Sequence, residues 1–357
     1  MDSWLKFILI FLTSAFISFV LSKLVIILAR KLNVLDRPSS ERKIHKKPTP
    51  LLGGLAIYFT LAIMVLFLGQ SGQLLDSRIE PTMIAWFLLS GLILMLNGYI
   101  DDKHQIKPYV SIWGPILASL AMIVGGLKIA YITNPGGGVL YLDQLFSTLP
   151  GGAEFLIFII TFFWLMGITY TTKLLDGIDG LASSIGLIAS IVIFIVSLSW
   201  DVVGSTTSLL SLVLGGALFG FLILNWHPAK VFLGEGGSTF VGFSLGVLAI
   251  ISGSKIATAL LVMGLPVLDI FWVIIRRIKQ KKSWYQGDNE HLHFRLLRAG
   301  FRQQQVVVFF TVVSLTFGLV SIFFTTKTKI GALLILFVVM FVLSSWLNFK
   351  LKKIENN

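Results

Sequence analysis

Eleven long apolar segments follow one another along this chain, and no polar stretch between them is long enough to build a soluble domain. They run over residues 4–29, 51–69, 82–100, 109–126, 153–172, 181–199, 207–225, 238–253, 256–276, 304–325 and 330–349. A bilayer-spanning helix needs about 20 consecutive mostly apolar residues. Only helices and closed barrels satisfy every backbone polar group in lipid, and segments of this length and continuity are helical. Charge supports the reading. Asp, Glu, Lys and Arg make up 13% of the residues, about half of the ~25% usual in soluble domains. The expected fold is an all-α polytopic integral membrane protein of about eleven transmembrane helices, ten if one segment does not cross, forming a single domain over residues 1–357. Residues 7–28 are too long and lack the cleavage site of a signal peptide, so they read as a retained helix. With no cysteine, disulfide and thiolate chemistry are excluded. No internal repeat of the kind that builds many transporters is visible.

A net charge of +12 would suggest nucleic acid in a soluble chain. In a membrane protein it is first a topology signal, because cytoplasmic loops are enriched in Lys and Arg. With eleven spans, the side holding residues 30–50, 101–108, 173–180, 226–237, 277–303 and the tail from Lys350, with Arg276 at the end of the ninth span, carries twenty-two of the 29 basic residues. Six lie on the other side, and Lys23 falls inside the first span. The first side is therefore expected to be cytoplasmic, with the C-terminus there. Residues 127–152 form the largest segment on the opposite side. Thr133–Gly138 there lies between two β-prone runs and reads as a hairpin or loop.

Acidic residues are scarce, and those that stand out fall on the cytoplasmic side: Asp101-Asp102 at the end of the third span, Asp176 and Asp179 between the fifth and sixth, and Glu235 before the eighth. Acids near hydrocarbon depth are costly and usually functional. Adjacent carboxylates repel unless a cation intervenes, so these invite a hard ion. Mg²⁺ takes oxygen ligands and commonly joins one or two carboxylates to substrate phosphates. Asp176 and Asp179, three residues apart, would face one way if the following helix starts early. Gly234–Gly237 offers backbone N–H groups before a helix start, a ready anion site, with Ser238 as a plausible N-cap. Plain readings exist for each feature: a solvated helix end, a capping loop, a simple turn, surface histidines at 291 and 293, and a topology anchor at residues 37–47. His104 and His227 are expected on the surface.

Taken in order, the motifs resemble the polyprenyl-phosphate N-acetylhexosamine-1-phosphate transferases, the family that starts teichoic-acid, O-antigen and peptidoglycan lipid intermediates. The resemblance rests on Asp36–Gly54, Gly98–Asp102, Leu175–Ala182, Asn225–Ser238, and His291–His293 with Arg298–Phe301. It covers about residues 30–305. It implies a UDP-sugar donor, a polyprenyl- or undecaprenyl-phosphate acceptor, UMP as product and Mg²⁺ or Mn²⁺ as cofactor, in a bacterial cytoplasmic membrane with a cytoplasm-facing cleft. By resemblance Asp101, Asp102, Asp176 and Asp179 are catalytic. Glu235, Asp102, Asp176 and Asp179 would hold the metal. Lys46, Lys47, Lys173, Asn225, His291 and His293 would contact substrates, and a homodimer is open. Three positions depart from the family pattern: Glu235 where Asp is usual, Lys173 where Asn is usual, and Phe294 where another His is frequent. GlcNAc-1-phosphate is the preferred group transferred. UDP-MurNAc-pentapeptide is the alternative donor, and a cation-coupled transporter is the alternative from another class; the latter predicts acids near mid-span.

Overall fold

The computed structural model describes residues 3–38, 47–74, 79–134, 136–145, 152–200, 205–253, 255–281 and 290–355. All eleven apolar segments are helical. The chain opens with α1 (Ser3–Lys31), followed by the short antiparallel strands β1 (Leu35–Asp36) and β2 (Thr49–Pro50), then α2 (Gly53–Gln70) and α3 (Pro81–His104). Next come α4 (Pro108–Ser111), α5 (Trp113–Val124), the hairpin of β3 (Tyr131–Thr133) and β4 (Val139–Tyr141), and α6 (Leu142–Leu145). The hairpin stands where the turn residues 133–138 predicted one. The second half is α7 (Gly152–Leu175), α8 (Leu181–Trp200), α9 (Thr206–Asn225), α10 (Gly234–Ile251), α11 (Ile256–Val262), α12 (Gly264–Lys279), α13 (Leu292–Arg298), α14 (Gln303–Phe323) and α15 (Thr326–Glu355).

Among the described residues, nine helices are long and apolar enough to cross a membrane, and ten if α11 and α12 count as one span. Two expected spans are broken. The segment 256–276 bends by 77° between α11 and α12. Pro266 sits in the first turn of α12, where its missing N–H costs nothing but where it cannot continue a preceding helix. The segment 109–126 breaks at Ile112, between α4 and α5. Pro115 has no N–H for the carbonyl of Ser111, and that carbonyl instead accepts a hydrogen bond from Asn97 Nδ2 at 3.0 Å.

Large apolar side chains face outward, among them Phe16, Phe67, Leu334 and Phe349. That is ordinary for helices whose solvent is lipid. Inside, small residues let backbones approach. Ser18 of α1 donates to the Ala217 carbonyl of α9 at 2.6 Å. A Cβ on Gly54 of α2 would strike Gly237, and one on Gly98 of α3 would strike Gly236. The N-terminus of α10 is therefore wedged between α2 and α3, and the end of α3 that carries Asp101-Asp102 is brought against it.

Candidate active site

A cavity of about 990 Å³ opens at one end of the helix bundle, at the upper end of the size range of small-molecule sites. Its wall is built from helix ends and the loops between them: the C-terminus of α3 with Asp101 and Asp102, the α7–α8 connection with Lys173, Asp176, Gly177 and Asp179, and the α9–α10 connection with Asn225, His227 and Glu235. Asp36 and Lys47, beside β1 and β2, complete it. Two of the separated motifs, Asp36–Gly54 and Asn225–Ser238, are joined here by backbone contacts. Phe232 N–H donates to the Pro50 carbonyl at 2.9 Å, and Gly53 and Gly54 N–H groups donate to the Phe232 and Leu233 carbonyls at 3.0 and 2.9 Å.

The two neighbouring aspartates of α3 have different partners. Asp101 accepts a hydrogen bond from the Ser111 hydroxyl. Asp102 accepts from the Glu235 backbone N–H at 3.1 Å. An acid that opposes the dipole of its own helix C-terminus thus caps the N-terminus of another, where negative charge is favoured. Gly234 has φ of 73° and lies so near Asp102 that a Cβ there would meet its carboxylate. The anion-site expectation for Gly234–Gly237 is corrected in one respect, since in this structure Asp102 takes the Glu235 N–H. Ser238 is not the N-cap either: α10 already begins at Gly234, and the Ser238 hydroxyl donates back to the Gly234 carbonyl at 3.0 Å.

Asp176 and Asp179 do not share a helix face. α7 ends at Leu175 and α8 starts only at Leu181, so the intervening loop separates them. Asp179 Oδ2 lies 2.7 Å from His227 Nδ1 and accepts the Ala229 N–H at 3.0 Å. Burial, together with the negative charges of Glu235 and Asp179, pushes the Asp176 carboxyl up to about 8. A nearby cation would relieve that cost. Glu235 meets one: Lys173 Nζ lies 2.8 Å from its Oε2. Asn225 is buried at 2% exposure, accepting from Ser183 at 2.8 Å and donating to the Val231 carbonyl at 2.9 Å.

His291 and His293 lie behind the Asp176–Gly180 loop, outside the cavity lining. His291 Nδ1 is 2.9 Å from Asp269 Oδ2, and Asp269 also accepts the Leu292 N–H at 2.9 Å. His293 is buried, with Nε2 packed on Gly177 and without a hydrogen-bond partner. Burial, reinforced by His291, pushes its imidazole down to about 3, so it is neutral at physiological pH. Phe294 packs on it, ring centroids 4.3 Å apart. Lys46 lies outside the described residues. His104 is exposed as expected. His227 is not a bystander on the surface: it lines the cavity and orients Asp179. Asp269 and Ser111 were missed. Asp269 carried a signal, being the lone acid in the apolar run 256–276. Ser111 carried none, because its role depends on the break at Ile112.

Oxygen donors on one polar wall suit a hard divalent cation in kind. Among the described residues no three His, Asp or Glu side chains converge closely enough to enclose one. Mg²⁺ keeps waters and uses one or two carboxylates plus substrate phosphates rather than an all-protein cage, so it does not require three converging protein ligands.

Comparison with known sequences agrees with the motifs. The family model described as glycosyl transferase family 4 matches residues 84–253. A probable undecaprenyl-phosphate N-acetylglucosaminyl 1-phosphate transferase of Bacillus subtilis is 29% identical, over 94% of this chain and 90% of the relative. A decaprenyl-phosphate N-acetylglucosaminephosphotransferase of Mycobacterium leprae is 31% identical, over 92% and 86%. A phospho-N-acetylmuramoyl-pentapeptide-transferase of Shouchella clausii is 30% identical, over 90% and 98%. With motif order, helical architecture and near full-length similarity in agreement, this chain belongs to glycosyl transferase family 4.

Proposed function

We propose that the protein transfers GlcNAc-1-phosphate from UDP-GlcNAc to a polyprenyl phosphate, releasing UMP, in a bacterial cytoplasmic membrane. The observation that carries this reading is the cavity itself. It gathers Asp101, Asp102, Asp176, Asp179 and Glu235 with Lys47 and Lys173 at one end of an apolar bundle. There a lipid headgroup and a soluble nucleotide can meet. Relatives named for this transfer support it. The excess of basic residues on that side supports a cytoplasm-facing cleft and a cytoplasmic C-terminus.

In the reaction, an oxygen of the lipid phosphate attacks the β-phosphorus of the donor. The bond from that phosphorus to the bridging oxygen breaks, and UMP leaves with the electron pair. The attacking phosphate is already anionic near pH 7, so the chemistry asks for positioning and charge neutralisation more than for a base. Lys47 and Lys173 supply positive charge toward the two polyanions. Asp179, held by His227 and Ala229, and Asn225, held by Ser183 and Val231, present fixed polar groups for the nucleotide. Asp102, Asp176 and Glu235 would hold Mg²⁺ or Mn²⁺, which when bound would neutralise diphosphate oxygens. His291 and His293 act by supporting the Asp176 loop through Gly177, or by reaching the donor if that loop moves.

The test is direct. Purified protein, undecaprenyl phosphate, Mg²⁺ and UDP-GlcNAc should yield UMP and a lipid-linked sugar, with dependence on both lipid and metal. UMP from UDP-MurNAc-pentapeptide instead would transfer the assignment to the peptidoglycan branch. Folded protein that releases no UMP from either donor would remove the transferase reading. Light scattering on the same preparation reads the homodimer.

A further inference from the structure

Lys173 and Glu235 are two of the three positions at which this chain departs from its family's pattern. In the fold they are partners in one ion pair, with Nζ 2.8 Å from Oε2. The pair is well sited at rest. Lys173 lies in the last turn of α7 and Glu235 in the first turn of α10, so each charge sits at the helix terminus that favours its sign. Nζ also lies 3.5 Å from the Ser111 hydroxyl and 5.6 Å from the centre of the Tyr170 ring. Both partners face the cavity. Glu235 Oε2 is buried and has no hydrogen bond beyond this ionic contact.

We propose that Lys173 is a resident counter-ion that a divalent cation must displace from Glu235, so that metal enters with the donor's diphosphate rather than ahead of it. The proposal rests on the reading of Glu235 as a metal ligand. A Mg²⁺ ligated to Oε2 at ~2.1 Å, with the ammonium still in place, would put the two cations within about 5 Å of each other. Their repulsion in a partly desolvated site opposes metal binding to the empty protein. A diphosphate removes the conflict. Lysine has three donors on a flexible four-carbon stem, so Nζ can leave Glu235 for a phosphate oxygen while remaining in the cavity. The freed carboxylate then ligates the metal, which the same phosphates also hold. Nucleotide and metal binding thereby become positively coupled, and the coupling is reciprocal.

The experiment titrates Mn²⁺ into metal-stripped, detergent-solubilised full-length protein and follows the electron paramagnetic resonance signal of free Mn²⁺. In the parent protein, saturating UDP should tighten Mn²⁺ binding at least about tenfold, after correction for the Mn–UDP complex. Without UDP, Lys173→Met and Lys173→Gln should each bind Mn²⁺ at least about tenfold tighter than the parent. Adding Glu235→Gln to Lys173→Met should abolish that gain. If UDP leaves parental affinity unchanged, or if monodisperse lysine variants bind no tighter than the parent, the proposal is overturned while the metal site stands. A gain that survives Glu235→Gln also overturns it. Absence of bound Mn²⁺ in parent and variants, even with UDP, removes the metal reading itself and the proposal with it.

Discussion

α10 and α15 are both membrane-length helices, yet they stand at opposite limits of burial. α15 is the more apolar, and 28% of its apolar window is buried inside the molecule. α10, the least apolar of the nine spans, is 89% buried. In water the order would be reversed. In lipid an apolar side chain gains nothing by moving from acyl chains to protein, so helix association is decided by how closely backbones pack and by interhelical hydrogen bonds. α10 is rich in Gly, Ser and Thr, and Gly236 and Gly237 meet Gly98 and Gly54 almost backbone to backbone. α15 turns Leu334, Phe337 and Phe341 outward. The inner helix is thus the one able to bring a carboxylate-bearing terminus into the centre of the bundle.

The sharpest way to break this contrast is at the wall that α10 helps to build. Asp102→Asn and Asp176→Asn should each lower the turnover of UDP-sugar to UMP by about a hundred- to a thousandfold, the scale of weakening stabilisation of the developing charge. A variant within tenfold of the parent in the UMP assay would exclude its residue from the centre. The next largest effect falls on packing. Gly98→Val should cost ~3 kcal/mol or more, or prevent folding, because the added carbons have no space against Gly236. Fluorescence-detected thermal unfolding in detergent reads this, and a parental midpoint would show that the close approach is dispensable.

A smaller loss is expected behind the site. Asp269→Ala leaves the buried His291 and the Leu292 N–H without their acceptor, a cost of about 1–3 kcal/mol. An unchanged unfolding midpoint would show that the pair holds nothing in place. A pH comparison isolates Asp176. Its folded value of about 8 exceeds the ordinary 3.8, so the folded state binds a proton that the unfolded chain releases. Its contribution is favourable below the ordinary value and is lost as pH rises from about 4 to 8. Metal-free Asp176→Asn should therefore lose less stability between pH 5.5 and pH 8 than the parent; parallel curves would sink this. At the outer limit, Leu334→Ala on α15 should alter stability by less than ~0.5 kcal/mol, and a larger loss in the same unfolding assay would mean that its lipid-facing side is covered.

Much of the architecture was legible because lipid imposes a simple rule on sequence: every span must be a long apolar helix. Boundaries held to within a few residues for most segments, and the two failures have local causes at Pro115 and Pro266. The acids were legible as a group because charge is rare in such a chain. Their pairing was not. Neighbours in sequence suggested Asp101 with Asp102 and Asp176 with Asp179, whereas the fold gives Asp101 to Ser111, Asp102 to the Glu235 N–H, and Asp179 to His227.

By itself the sequence determined the solvent, the helices, the family and the identity of the ionisable residues gathered at one end. Each of these follows from composition, periodicity or motif order, which are local properties. The tertiary structure alone decided which groups touch: Lys173 with Glu235, His291 with Asp269, and His293 with Gly177. Those contacts depend on where α3, α7, α10 and α12 end relative to one another in space. Backbone-close packing at glycines and breaks at prolines set those endpoints, over distances that no motif spans.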